Sequence, residues 1–183
     1  MRVITGTARG KRLITPQGNE ITRPTSDRVK EGVFSSIQFD IEGRRVLDLF
    51  AGSGQLGIEA LSRGAESAVF VDTSDESLKA IRKNLETTEF VNSSKVVKSE
   101  YSLFLSRCTD KFDIAFLDPP YNVGVLENAI SLVSKVMSDY GIIICEHPDY
   151  VKIPDSINGF SVFKTLKYGK ILISLYKGGN SNE

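Results

Sequence analysis

From residue 45 onward, short apolar runs alternate with stretches whose apolar residues recur at helical spacing. The runs are typical of buried strands, and the stretches between them are typical of amphipathic helices. Strands that alternate with helices predict a parallel sheet with helices on both faces. The predicted strands are 46–50, 68–72, 95–98, 112–117 and 141–145. The sequence therefore predicts an α/β fold.

Four helical segments are predicted between these strands. They are 56–63, a helix with Leu78, Ile81 and Leu85 on one face, a turn near 102–106, and a helix with Leu126, Ala129, Ile130, Val133 and Met137 on one face. Thr73 and Glu76 have the spacing of a capping box and are expected to start the second of these segments.

The C-terminal part of the chain breaks the alternation. Two apolar runs, 160–165 and 171–176, flank Lys167-Tyr168-Gly169-Lys170, which is typical of a hairpin turn. The hairpin inserts one antiparallel strand, so we expect a mostly parallel, seven-stranded sheet. Residues 178–183 are expected to form a frayed tail.

The N-terminal part is predicted to be an extension of the sheet domain. Residues 1–15 are predicted to form a hairpin with its turn around Arg9-Gly10, followed by a loop from Thr15 to Thr25. Thr25 or Ser26 is expected to cap the first helix. We thus expect one domain over 1–183, in which 1–25 extend a catalytic core at 26–177.

Composition excludes several classes of protein. No apolar run approaches the ~20 residues of a membrane span, so no membrane partner is expected. Cys108 and Cys145 are isolated, which predicts free buried thiols in a reducing compartment and a cytoplasmic location. One histidine and no cysteine–histidine cluster predict no metal site. Without an exposed heptad pattern, a monomer is expected.

Charge is distributed unevenly along the chain. Residues 1–30 carry seven basic and two acidic side chains, a net charge of +5, and the remaining residues carry −5. A basic arm on an acidic body suggests a polyanionic partner. The alternative, equally compatible with the charges alone, is a solvated edge hairpin whose lysines and arginines block strand pairing.

A glycine-rich turn follows the first predicted strand of the core. Gly52-x-Gly54-x-x-Gly57 has the spacing of a dinucleotide site, and Asp72, 20 residues after Gly52, is placed to accept from ribose hydroxyls. Asp48 precedes the turn and would repel a pyrophosphate but attract the cationic groups of S-adenosylmethionine (AdoMet). The turn therefore favours AdoMet over NAD. Asp48 could instead bond loop amides, and Asp72 could cap a helix.

The strand over 112–117 ends in Asp118-Pro119-Pro120-Tyr121. The Asp118 carboxylate and the Pro119 carbonyl can accept from one planar amine, and the prolines hold these acceptors in place in advance. The Tyr121 ring can stack on the heterocycle that carries the amine. The four residues predict a site that acts on the amino group of a base. The alternative is a proline turn with a capping aspartate.

Two further residues follow the strand over 141–145. His147, a lone histidine before Pro148, is expected to be structural. Glu146 ends the strand at the ligand edge of the sheet, so it is the better candidate for a place near the substrate.

Taken in order, these motifs resemble the RsmD family, bacterial AdoMet-dependent enzymes with a Rossmann-like fold that methylate a guanine N2 in 16S ribosomal RNA. The resemblance covers almost the whole chain. Its more specific element is Thr22-Arg23-Pro24-Thr25 followed by Asp27-Arg28-Val29-Lys30-Glu31, and it also includes 46–54, 57–65, 116–121 and Tyr168-Gly169.

The resemblance implies roles for individual residues. The AdoMet-binding residues would be Arg23, Thr25, Asp48, Phe50, Gly52, Gly54, Asp72, Glu100 and Tyr101. In this reading Arg23 pairs with the AdoMet carboxylate, Asp72 takes the ribose hydroxyls, and Glu100 faces the adenine amine. The family often has Glu at the position of Asp72 and Asp at the position of Glu100. Both differences keep the charge and change the length of the side chain. RNA phosphates would contact Arg2, Arg9, Lys11 and Arg12.

Three other functions stay open at this point. One is an amino methyltransferase acting on DNA adenine, although the chain has no spare length for a target-recognition domain. The second is an NAD-dependent oxidoreductase, against which Asp48 and the C-terminal hairpin argue. The third is a ribosome-assembly factor that binds RNA without catalysis. The leading prediction is methylation of 16S rRNA, alone or in the small ribosomal subunit.

Overall fold

The computed structural model describes residues 1–16, 26–119 and 124–179. Helices alternate with strands in these ranges as the sequence predicts. The helices are α1 (Asp27–Ser36), α2 (Gln55–Ser62), α3 (Asp75–Thr88), α4 (Tyr101–Arg107) and α5 (Val125–Ser134), with a 3-10 turn at Val91–Ser93. The strands are β1 (Arg45–Leu49), β2 (Ser67–Asp72), β3 (Ser94–Lys98), β4 (Phe112–Leu117), β5 (Met137–Pro148), β6 (Ser156–Ile157), β7 (Phe160–Tyr168) and β8 (Ile171–Gly178).

All of these strands join one sheet in the order β3-β2-β1-β4-β5-β8-β7-β6. The five strands from β3 to β5 are parallel, whereas β8 is antiparallel to both β5 and β7. The mostly parallel sheet with an antiparallel C-terminal hairpin is therefore confirmed. The predicted count of seven strands is one short, because the two-residue strand β6 adds to the edge of β7.

A hydrophobic core lies on each face of the sheet. One contains Phe34 of α1, Ile58 of α2 and Phe116 of β4. The other contains Leu117 of β4 and Ile130 of α5. Because side chains alternate along a strand, the two neighbours in β4 enter opposite cores. The same alternation decides which face each side chain at a strand end points to.

Two local predictions about α3 and α5 are wrong. The cap of α3 is Ser74, whose hydroxyl accepts from the Ser77 amide, and not Thr73. Met137 does not extend the helix before it but begins β5, where it pairs with Phe112. At the start of α3, the path of the chain out of β2 determines which residue caps the helix. At Met137, strand pairing outweighs the helical spacing of the apolar residues.

The predicted N-terminal hairpin is present in a reduced form. Backbone bonds join the Val3 amide to the Lys11 carbonyl and the Gly10 amide to the Val3 carbonyl, but only Arg2 and Arg12 form a bridge. The rest of the segment turns onto the body of the protein instead of extending the pairing.

Three further sequence expectations have outcomes in the described part of the chain. Ser26 caps α1 and accepts from the Val29 amide. Cys145 is buried as expected, whereas Cys108 is only partly buried. None of the helices described here is both long and apolar enough to cross a bilayer.

Candidate active site at the strand ends

The carboxyl ends of β1 and β4 lie side by side in the sheet. From β1 the chain moves outward through β2 and β3, and from β4 it moves in the other direction to β5. Ligands of open α/β sheets bind in the crevice at such a reversal. The glycine loop, residues 50–54, follows β1, and Asp118-Pro119 follow β4. The two predicted motifs therefore meet at this crevice.

The glycine loop has an unusual backbone. Phe50 has a φ of +68°, a left-handed conformation that costs a non-glycine residue about 1–3 kcal/mol and is typical of functional sites. Gly52 and Gly54 also have positive φ, at +56° and +75°. A Cβ added at Gly52 would meet no atom within 4 Å, so the loop leaves open space beside its backbone there. This combination suits close approach of a ligand.

Asp48 lies beneath the loop and is almost completely buried, with 3% exposure. Its Oδ2 accepts from the Gly57 amide at 2.9 Å, at the first turn of α2. Burial, aided by the negative charge of Asp72, raises the pKa of Asp48 to about 7, although the bond from Gly57 opposes the shift. The alternative that Asp48 bonds an amide is therefore real in this structure. A cation that binds nearby would favour the ionised carboxylate, and the proton would be released to solvent.

Asp72, at the end of β2, holds the glycine loop from the other side. Its Oδ2 accepts from the Gly52 amide at 2.8 Å, and its Oδ1 accepts from the Ser74 amide at 2.8 Å. The side chain is partly exposed. Since Ser74 is the cap of α3, the helix-cap alternative for Asp72 is wrong.

Glu100 caps α4, a role that the sequence pattern did not indicate. Its Oε2 accepts from the Ser102 and Leu103 amides and from the Ser102 hydroxyl. The hydroxyl bond first, and the amide bonds after it, lower the pKa of Glu100. Next to it, the Tyr101 ring lies 5.2 Å from the Phe50 ring. Tyr101 thus borders the glycine loop, and Glu100 precedes it at the start of α4.

Asp118 and Glu146 both line a small cleft beside the crevice, and the other residues that line it are apolar. Burial raises the pKa of Asp118 well above its ordinary value, and the charges of Glu146 and Asp48 add to the shift. Two or more carboxylates that resist ionising together are typical of binding and catalytic sites. Pro119, which follows, is buried.

Some predicted site residues lie outside the described ranges. They are Arg23 and Thr25 before α1, and Pro120 and Tyr121 after β4. His147 has the structural place expected of it: it is buried, with Nε2 at 2.9 Å from the Ser174 hydroxyl of β8.

The basic residues of the N-terminal arm lie at the surface. Arg2, Arg9 and Arg12 are exposed, and Lys11 is partly exposed. Arg2 pairs with Asp27 at 3.2 Å, and Lys11 pairs with Glu89 at 2.8 Å. Exposed pairs of this kind contribute little to stability, so these two side chains can exchange partners for a phosphate at little cost.

A buried ion pair anchors this arm to the core. Glu59 of α2 and Lys30 of α1 are both fully buried, with Oε2 and Nζ 3.4 Å apart. Glu59 also accepts from the Ile4 and Thr5 amides at 2.8 and 3.0 Å. Neither residue was predicted to matter, because a single Glu or Lys in a helix carries no signal of a contact more than 25 residues away.

Asn84 of α3 links the arm to the glycine loop. Its Oδ1 accepts from the Ile14 amide at 2.8 Å, while its Nδ2 donates to the Ile14 and Ser53 carbonyls at 3.0 and 2.9 Å. The side chain is 1% exposed. Asn84 adjoins the apolar positions of α3 in the sequence, and that was the available signal for a buried polar contact.

Three comparisons place this geometry among known proteins. The family described as "Conserved hypothetical protein 95" matches residues 1–177. Ribosomal RNA small subunit methyltransferase D of Escherichia coli (strain K12) is 34% identical over 179 residues, covering 97% of this chain and 89% of its own.

Solved structures share the fold. The Escherichia coli protein yhhF is 33% identical, has a TM-score of 0.86, and covers 97% of both chains. SMU.776, a structure complexed with SAH, is 15% identical with a TM-score of 0.68, and the match covers 81% of this chain and 49% of its own. At that identity the second likeness shows the fold alone.

Proposed function

The chain belongs to the RsmD family of ribosomal RNA methyltransferases, and on that basis we propose that it transfers a methyl group from AdoMet to the N2 amino group of a guanine in 16S rRNA. The observation that carries the proposal is the adjacency of the glycine loop and Asp118-Pro119 at the ends of neighbouring strands. One motif fits a cationic nucleoside cofactor, and the other fits a planar amine.

The crevice has the groups that AdoMet requires. Open space beside Gly52, the buried acid Asp48 and the carboxylate of Asp72 offer room, a counter-charge and acceptors for hydroxyls. Glu100 and Tyr101 complete the proposed binding set on the adenine side, with Arg23 and Thr25 from the segment before α1. A protein of the same fold is complexed with SAH, which is AdoMet without its methyl group.

When bound, AdoMet supplies a methyl group on a positively charged sulfur. The amino nitrogen of guanine is a poor nucleophile because its lone pair is delocalised into the ring. The Asp118 carboxylate and the Pro119 carbonyl accept from the two N–H bonds and draw the nitrogen towards a tetrahedral arrangement, which localises the lone pair. Methylation makes the nitrogen acidic, so Asp118 can accept the departing proton late.

The target base must leave its stack to reach this site, at a cost of a few kcal/mol. We propose that Tyr121 stacks on the base for about 1–3 kcal/mol and offsets that cost. Arg2, Arg9, Lys11 and Arg12 would hold the surrounding phosphates, which makes binding depend on salt. The enzyme is proposed to act as a monomer in the cytoplasm, where its ribosomal substrate is made.

Transfer of tritium from labelled AdoMet tests the proposal. The acceptors would be small-subunit particles and protein-free 16S rRNA, both from cells that lack the modification, and unmethylated DNA as a third, separate acceptor. We expect label in 16S rRNA from at least one of them. Binding of AdoMet without transfer to any of them would indicate an assembly factor, and transfer to DNA alone would indicate the adenine enzyme.

AdoMet affinity should depend on pH through Asp48. Its pKa of about 7 means that the carboxyl is mostly protonated at pH 5.5, and a bound cation must displace that proton. We expect the affinity to rise by up to about 20-fold from pH 5.5 to 7.5, measured by calorimetry. Asp48→Asn should remove this dependence, whereas Asp110→Asn, at an exposed position, should keep it. An affinity that is flat with pH in the unmodified protein would contradict the role of Asp48.

A further inference from the structure

Asp118 and Glu146 occupy equivalent positions at the ends of two neighbouring parallel strands. Leu117 of β4 and Cys145 of β5 are register partners, so the next residue of each strand lies beside the other. Phe116 and Ile144, which lie two positions before Asp118 and Glu146, are also register partners. Both enter the core on the α1 side of the sheet. Since side chains alternate, Asp118 and Glu146 point to that same side.

Both carboxylates line one cleft. The apolar side chains that line this cleft include those of Val33 of α1, Phe116, Ile144 and Ile173. Glu146 lies within the paired part of β5, opposite Ile173 of β8. Two carboxylates beside one apolar cleft can accept hydrogen bonds from a base that presents two neighbouring donors.

Among the bases with an amino group, only guanine presents such donors. Its N1–H lies next to its N2 amino group, whereas the atom next to the amino group of adenine or cytosine is a ring nitrogen with a lone pair. Enzymes that extrude a base read this edge by hydrogen bonds. We propose that Glu146 accepts the N1–H of the target guanine while Asp118 faces the N2 amine, so that Glu146 selects guanine. The inference rests on the function proposed above and names the residue that sets its specificity.

The selection acts by attraction and by repulsion. A carboxylate opposite guanine N1–H receives a charge-assisted hydrogen bond. The same carboxylate opposite the N1 of adenine or the N3 of cytosine meets a lone pair and gains no hydrogen bond from the base. Discrimination of this kind at one base edge gives a preference for the correct base over the wrong one of about 10- to 100-fold.

The test compares guanine with 2-aminopurine at the modified position. This analogue keeps the 2-amino group, but its N1 is an acceptor. Small-subunit particles are reconstituted on 16S rRNA into which a synthetic segment carrying either base is ligated, and kcat/KM is measured. Because 2-aminopurine also lacks O6, the informative quantity is how the preference changes when Glu146 is replaced.

The unmodified enzyme is expected to prefer guanine by about 10-fold or more. In Glu146→Gln the amide can accept from guanine or donate to 2-aminopurine, so the preference should fall to within about 3-fold. Glu146→Ala lacks both options and should lose the preference as well, which keeps the test decisive if one variant does not fold. Glu86→Gln, on the exposed side of α3, is the matched control and should keep the preference.

The outcomes separate this inference from the proposed function. If the unmodified enzyme does not label the guanine particle, the proposed function fails. If it labels guanine and 2-aminopurine equally, or if a folded Glu146 variant keeps the full preference, the function stands and the role of Glu146 is wrong.

Discussion

Replacing Asp118 by alanine is expected to slow methyl transfer to 16S rRNA by about 10³-fold while AdoMet affinity stays within a few-fold. In the proposed mechanism the carboxylate faces the amine and not the cofactor, so its loss removes an interaction that matters in the transition state. Single-turnover rates at saturating AdoMet measure the first effect, and calorimetry measures the second. Asp110→Ala, the same change at an exposed acid, serves as the control.

The fold should tolerate this change at Asp118. Its pKa is raised in the folded protein, so its ionised form is disfavoured there, and the loss of that charge should not lower the free energy of unfolding at neutral pH. Full activity in Asp118→Ala would remove the residue from the mechanism. A loss of AdoMet affinity equal to the loss of rate would move Asp118 to the cofactor site.

Replacing Glu59 by glutamine is expected to lower the free energy of unfolding by about 3–5 kcal/mol. The change leaves Lys30 buried and charged without its partner at 3.4 Å. It also weakens the bonds that the carboxylate accepts from the Ile4 and Thr5 amides. Urea unfolding at pH 7.5 measures the loss, and faster hydrogen exchange at residues 4 and 5 would show that the arm has loosened.

A double-mutant cycle measures how much of this loss comes from the Lys30 charge that Glu59→Gln leaves without its partner. Lys30→Met leaves Glu59 paired with Arg63 at 2.9 Å, so it should cost less than Glu59→Gln. The double variant removes the stranded charge and should be more stable than the sum of the single losses predicts. A Glu59→Gln protein within 1 kcal/mol of the unmodified one would show that Lys30 loses its charge cheaply.

Local patterns predicted most of the elements correctly. The strand at 112–117 has the predicted bounds, β1 is displaced by one residue, and β2 begins one residue early. The agreement arises because apolar runs bounded by turns identify buried strands. The positions of Asp48, Asp72 and Asp118 at strand ends follow from the same patterns. Their approach to one crevice follows from the parallel sheet.

Contacts between distant segments were not predictable in the same way. The pairing of Lys30 with Glu59 and the three bonds of Asn84 depend on how the N-terminal arm lies on α2 and α3. The same holds for β6, whose two residues become a strand only because β7 offers a free edge. Glu100 shows a different limit, since a carboxylate beside a serine fits a helix cap and a ligand contact equally well.

The identity of the methylated nucleoside tests the central claim most directly. 16S rRNA from labelled particles would be digested to nucleosides, and the labelled product would be identified by mass spectrometry and by its position in the RNA. We predict N2-methylguanosine at one position, absent from the RNA of cells without this protein. Label in N6-methyladenosine, or a full complement of N2-methylguanosine in those cells, would contradict it.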